Sequence, residues 1–117
     1  LVPFIDDMAR AYAEADLVIC RAGATTVTEL AAIGAAALLV PFPHAVDDHQ
    51  TANARFLVEQ GAGWLLPQSE LTPRALADML QKTERSALLA CAQKAKRLQK
   101  TEAVDALVAA CEELARP

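Results

Sequence analysis

Apolar residues in this chain fall into two alternating kinds of run. Residues 17–20 (Leu-Val-Ile-Cys), 37–40 (Ala-Leu-Leu-Val) and 63–66 (Gly-Trp-Leu-Leu) are short and unbroken, as strands buried on both faces require. Between them the apolar positions recur at helical spacing. A helix over 8–15 can be capped by Asp6 or Asp7, while residues 1–5 read as a strand end or an extended loop. A second helix over 25–33 turns Val27, Leu30 and Ala31 inward and stops at Gly34. A third over 49–60 ends at Gly61, and Pro41 and Pro43 close the strand before it. After Pro67 the pattern predicts helices over 72–81, 84–98 and 102–115. The last carries an apolar stripe of Val104, Leu107, Val108, Cys111 and Leu114.

Unbroken apolar strands separated by helices specify an α/β fold: a Rossmann-like parallel sheet with helices on both faces, followed by C-terminal helices. Crossovers in such a sheet are right-handed, so every loop leaving a strand's C-terminus lies along one edge. That edge is where open α/β sheets bind ligands. The turn at 21–29 and the loop at 41–53 both belong to it and converge there. Nothing repeats, and no low-complexity linker divides the chain, so residues 1–117 read as a single domain.

Composition narrows the partner. Apolar residues make up 54% and aromatics 4%, with much alanine, which suits helices packed closely on a flat sheet. The net charge of −4 argues against nucleic acid, which demands clustered Lys and Arg. An anionic ligand must therefore be held by local donors. Cys20, Cys91 and Cys111 show no metal or redox spacing and read as reduced thiols of a cytosolic protein. No apolar run approaches the ~18 residues of a membrane span, and no stretch reads as a signal peptide. The opening Leu-Val-Pro, without an initiator methionine, suggests a piece of something longer.

The chemistry concentrates in Cys20-Arg21-Ala22-Gly23-Ala24-Thr25-Thr26-Val27-Thr28-Glu29. A strand runs into a glycine turn, a helix opens with free backbone N–H groups, and a carboxylate follows. The helix N-terminus attracts phosphates, and a carboxylate can accept both protons of a ribose diol. The segment therefore suits a nucleotide sugar. Glu29 has a second reading, because Thr26-Val27-Thr28-Glu29 fits a capping box in which the glutamate folds back on its own helix start. Both readings stand on the pattern alone. Gly23 is there for conformation, through a positive φ or close ligand approach. Arg21 is either a surface arginine or an anion contact.

Two histidines and two aspartates lie within His44-Ala45-Val46-Asp47-Asp48-His49-Gln50, but their spacing matches no metal site and Asp47 and Asp48 suit a helix start. Gln50 and Asn53 share one helix face beside Ala54 and Leu57, where amides can bond sugar hydroxyls or cap a solvent boundary. Trp64, among small residues, reads as packing. No serine sits in a nucleophile elbow, no cysteine has a histidine near it in sequence, and Gly23 alone makes no dinucleotide fingerprint.

These residues closely resemble the MurG glycosyltransferases. The resemblance rests on Pro3-Phe4-Ile5-Asp6-Asp7-Met8, Ala13-x-Ala15-Asp16, Cys20-Arg21-Ala22-Gly23-Ala24-x-Thr26-Val27-x-Glu29, Val40-Pro41-Phe42-x-His44 and His49-Gln50-x-x-Asn53-Ala54, and spans essentially the whole chain. Members of that family move N-acetylglucosamine from UDP-GlcNAc to lipid I, forming lipid II for peptidoglycan. The resemblance implies a GT-B architecture, of which this chain is the latter part of the C-terminal, donor-binding domain. The resemblance further implies that the N-terminal acceptor domain and the first strands of the donor domain lie outside this chain.

Carried onto matching positions, Phe4 and Ile5 flank and read the uracil, with Met8 packed nearby. Glu29 holds the ribose hydroxyls, which tips its two readings toward the ligand. The backbone at Ala24, Thr25 and Thr26 meets the diphosphate, with Arg21 beside it. Gln50 and Asn53 hold the GlcNAc hydroxyls, joined by His49 at a position where some members carry glutamine. No metal or other cofactor is implied. The reaction is an inverting displacement in which donors aimed at the phosphates stabilise the departing UDP. Its general base comes from the missing half, so no catalytic residue is assigned here. His44, an imidazole suited to such work, reads as a loop brace. The lipid acceptor places the full-length protein peripherally on the cytoplasmic side of the bacterial inner membrane. A related GT-B protein such as a UDP-GlcNAc epimerase is disfavoured by the Cys-Arg-Ala-Gly-Ala block. The remaining alternative is a non-catalytic nucleotide-sugar-binding module.

Overall fold

The computed structural model describes residues 1–43, 48–99 and 102–115, with 102–106 described as backbone only. Three strands, β1 (Val18–Cys20), β2 (Ala37–Leu39) and β3 (Trp64–Leu65), pair in parallel in the order β1-β2-β3. Among the described residues, six α-helices accompany them: α1 (Met8–Glu14), α2 (Ala24–Ile33), α3 (His49–Glu59), α4 (Pro73–Lys82), α5 (Arg85–Gln99) and α6 (Glu102–Ala115). The α/β class is the one the apolar pattern predicts.

Local chemistry fixes several boundaries. The Asp7 carboxylate accepts from the Arg10 N–H at 3.0 Å and caps α1, settling the choice between Asp6 and Asp7. Thr72 does the same for α4 through the Ala75 N–H at 3.0 Å, with Pro73 at the first helical position. Helix α2 stops at Gly34, whose φ of 77° lets its N–H reach the Leu30 carbonyl at 2.9 Å. A Cβ at Gly34 would lie 2.9 Å from the Lys96 Cβ, so α5 can pack here only against a bare backbone. The strands are shorter than the apolar runs, yet pairing continues past them. Val40 N–H bonds the Cys20 carbonyl at 2.8 Å, and Leu66 N–H bonds that of Leu39 at 2.9 Å.

Helix α2 is the central one and packs against α1, α3, α5 and α6. Its Val27 and Leu30 join Ala37 and Leu39 of β2, Ala54 and Leu57 of α3 and Ala95 of α5 in one buried core. Ala31 is also fully buried, so all three inward positions of this helix were legible from spacing. On the other face of the sheet, register aligns Ile19, Leu38 and Trp64. Leu38 is buried and Trp64 half-buried, but Ile19 is 47% exposed. Burial on both faces, expected for every strand, therefore fails at β1, an edge strand of this sheet. In α6, Leu107, Val108 and Cys111 are half-buried while Leu114 is 67% exposed, so the apolar stripe outruns the surface it packs on. Val104 falls outside the described side chains.

Parallel pairing places the ends of all three strands along one edge. The β1–α2 turn and the segment following β2 leave the sheet side by side there, and the start of α3 reaches both.

Candidate functional site

The turn after β1 consists of Arg21, Ala22 and Gly23, and α2 begins at Ala24. Gly23 occupies the N-cap position with φ −64° and ψ 152°, an extended conformation open to any residue. The positive φ that a turn glycine suggested is absent. A Cβ built here would meet nothing closer than the Thr26 Oγ1, at 4.0 Å. Neither backbone strain nor internal packing therefore requires glycine at this position. A glycine here keeps the approach to the first turn of α2 clear, where the N–H groups of Ala24, Thr25 and Thr26 have no intrahelical acceptor and no side chain caps them.

The capping-box reading of Glu29 is overturned. Thr26 is the third residue inside α2 rather than its cap, so Glu29 stands one turn too far along to reach back to the helix start. Its half-buried carboxylate instead faces α1, where the phenol of Tyr12 lies beside it. Burial raises the Tyr12 pKa, and the Glu29 charge, the Cys20 thiol and a hydrogen bond to Glu29 add to that rise. The phenol thus stays protonated and donates to the carboxylate. Sequence reasoning missed Tyr12, since a tyrosine on the inner face of a short helix carries no local mark of its partner. Burial also pushes the Cys20 thiol up to about 11.

Two amides at the start of α3 fasten this turn. Gln50 Oε1 accepts from the backbone N–H of Ala22 at 3.3 Å and from that of Phe42 at 2.8 Å. Asn53, 4% exposed, donates from Nδ2 to the Ala22 carbonyl at 3.0 Å. Its Oδ1 accepts from the Cys111 thiol of α6 at 3.1 Å, a contact between residues 58 apart that nothing in the sequence announces. Arg21 adds a further tie. Its Nη1 lies 3.4 Å from the carbonyls of both Val40 and Pro41, and its guanidinium sits 5.5 Å from the centre of the Phe42 ring.

The remaining expected positions are more open. Phe4, Ile5 and Met8 lead into α1 with exposures of 77%, 41% and 39%, which is high for large apolar side chains. His49 is half-buried as the first residue of α3. Asp48 precedes it in the left-handed region, φ 51°, and its carboxylate accepts the Thr51 hydroxyl at 2.6 Å instead of a helix N–H. His44 and Asp47 lie outside the described residues. Among the described residues no three His, Cys, Asp or Glu side chains cluster as a metal site would require. A cavity of about 470 Å³ opens at this edge between Phe42, Asp48, Thr51, Arg55 and Gln68. A similar hollow of about 480 Å³ lies at the opposite ends of the strands, beside Ala15, Asp16, Gly34 and Arg85. Neither hollow is lined by the first turn of α2, so the uncapped helix start, and not a cavity, marks the first edge as the candidate site.

An uncapped helix start thus lies at the C-terminal edge of the sheet, with its preceding turn fastened by two amides and with a carboxylate in its second turn. The model of the glycosyltransferase family 28 C-terminal domain matches residues 1–108.

The chain belongs to the glycosyltransferase family 28 C-terminal domains.

A relative from Polaromonas sp. strain JS666, named UDP-N-acetylglucosamine–N-acetylmuramyl-(pentapeptide) pyrophosphoryl-undecaprenol N-acetylglucosamine transferase, is 72% identical over 116 residues. The match covers 99% of this chain and 30% of the relative, so the chain spans about 30% of the length of that protein. The crystal structure of Acinetobacter baumannii MurG superposes with a TM-score of 0.81 at 49% identity, over 96% of this chain and 34% of that one. The resemblance to MurG read from the motifs is therefore borne out. The glycosyltransferase VinC, solved in complex with DTDP, shares the fold with a TM-score of 0.68 at 24% identity, over 96% of this chain and 29% of its own.

Proposed function

We propose that this chain is the UDP-GlcNAc-binding part of a MurG-type glycosyltransferase. The observation that carries the reading is the bare N-terminus of α2 behind a glycine that the fold itself does not need. A diphosphate seated there would accept from the N–H groups of Ala24, Thr25 and Thr26, with Arg21 nearby. Glu29, relieved of any capping duty, would take the ribose diol. Phe4, Ile5 and Met8 offer the exposed apolar surface on which a uracil ring can lie. Gln50, whose oxygen is committed, would offer its amide nitrogen to the sugar. His49 would complete that end, while Asn53, buried with both amide atoms bonded inside the protein, would brace it from below.

In the longer relatives this site would serve the transfer of GlcNAc to lipid I. Backbone donors at the diphosphate would stabilise the charge that develops as UDP departs. The acceptor and the general base would come from regions beyond the span that this chain matches, and the membrane contact would be peripheral. No helix of the described residues is long and apolar enough to cross a membrane, which is consistent with that arrangement.

An NMR titration of the chain with UDP-GlcNAc, UDP-glucose and UMP tests the reading. Preference for UDP-GlcNAc, with shifts centred on Gly23 to Glu29, is the expected result. A folded chain that binds none of the three would refute it. Lipid II synthesis by this chain alone would refute the assignment of the base to another region.

A further inference from the structure

We infer that Gln50 and Asn53 act chiefly as positioning residues, clamping the peptide units on both sides of Ala22 so that the Gly23 turn presents its N–H groups to a phosphate. This rests on the reading of the site as a nucleotide-sugar site and assigns its amide pair a task that contact with the sugar alone would not include.

The geometry is specific. Ala22 has no exposed surface, and both of its backbone polar groups bond to side chains of α3. Its N–H donates to Gln50 Oε1 and its carbonyl accepts from Asn53 Nδ2. Both partners come from the first turns of α3, three residues apart, which places them on one helix face. The pair therefore holds the turn in two directions at once. Gln50 Oε1 also takes the Phe42 N–H, so the segment after β2 is fixed to the turn after β1 through one oxygen. The Cys111 thiol on Asn53 Oδ1 fixes which way that amide faces and leaves its nitrogen for Ala22. Among the described residues, three of the pair's four amide nitrogen and oxygen atoms are spent on the protein, which leaves Gln50 Nε2.

Anion binding at a helix start depends on N–H groups held in fixed directions. Ala22 is the last residue before the glycine cap. Without the clamp it keeps two buried, unsatisfied polar groups, and the turn must shift to hydrate them. The consequence falls on phosphate and leaves the nucleoside contacts intact.

A ladder of ligands separates the clamp from a sugar contact. Uridine, UDP and UDP-GlcNAc are titrated against the wild-type chain and against Gln50→Met, which keeps the length of the side chain without its acceptor. The clamp predicts that UDP weakens by tenfold or more and UDP-GlcNAc by at least as much, while uridine is unchanged. Retained uridine binding also reports that the variant folds. A loss confined to UDP-GlcNAc, or no loss at all, overturns the inference. Hydrogen exchange supplies a readout without ligand: the Ala22 and Phe42 amides should be slow in the wild type and fast in Gln50→Met, with Val27 and Leu30 unchanged. If the wild type bound no nucleotide, the site reading would fail by itself, and unaltered exchange at Ala22 would separately refute the clamp. Should Gln50→Met not fold, Cys111→Val replaces it, with the smaller but parallel loss for UDP and UDP-GlcNAc expected and an unchanged ladder counting against the inference.

Discussion

Replacing Gly23 by alanine separates what the fold needs from what a ligand needs. At φ −64° and ψ 152° the backbone accepts alanine without strain, and the new methyl carbon would stand 4.0 Å from its nearest neighbour, Thr26 Oγ1. Two small terms then decide stability. Alanine is a poorer N-cap than glycine by roughly 0.5–1.5 kcal/mol, whereas the loss of backbone freedom in the unfolded chain returns about 0.4–1 kcal/mol. The net change stays within about 1 kcal/mol, a shift in Tm of no more than about 5 °C for a domain this size. Binding behaves differently. A phosphate oxygen accepting from the N–H groups of α2 must come within about 2.9 Å of nitrogen, and a methyl at the cap occupies that path. Losing one charge-assisted hydrogen bond costs about 1.5–3 kcal/mol, or ten- to 150-fold in affinity for UDP. Thermal melts paired with calorimetric titrations of UDP and uridine measure both quantities. A Gly23→Ala chain that melts normally and binds UDP as tightly as the wild type would show that the clear space above α2 serves no phosphate.

Three further outcomes follow from the same geometry. Glu29→Ala should weaken UMP by about 1.5–3 kcal/mol and abolish any preference for UMP over its 2′-deoxy analogue. No cap is lost, so only the Tyr12 hydrogen bond goes with the carboxylate and stability should fall by no more than about 1.5 kcal/mol; equal affinities for wild type and variant would sever Glu29 from the ribose. Gly34→Ala should destabilise by about 1–3 kcal/mol, since φ 77° and a Cβ 2.9 Å from that of Lys96 exact both strain and displacement of α5; an unchanged denaturation midpoint would contradict this. Burial raises the Cys20 thiol from its ordinary 9.0 to about 11, so the folded chain holds this proton longer than the unfolded one. Its contribution is fully present below pH 9 and fades as the pH climbs toward 11. Stability curves of wild type and Cys20→Ala should therefore converge over that interval, and parallel curves would dispose of the shift.

The amino-acid sequence by itself determined the elements and their order. Unbroken apolar runs at 17–20, 37–40 and 63–66 became the three parallel strands, and Val27, Leu30 and Ala31 were buried as their spacing required. Period and composition are local properties, so they survive without knowledge of the fold. Caps were legible where one residue decides them, as at Gly34, and misleading where two patterns competed. Thr26 and Glu29 have capping-box spacing, but the helix had already begun at Ala24, because the chain leaves β1 through a turn of only three residues. Tertiary structure alone decided the partners. That Tyr12 faces Glu29, that Cys111 holds Asn53, and that Gln50 joins Ala22 to Phe42 depends on helices brought together by a sheet. Side-chain amides and hydroxyls bond whatever lies within about 3 Å, and distance in space between residues tens of positions apart is set by packing rather than by any pattern along the chain.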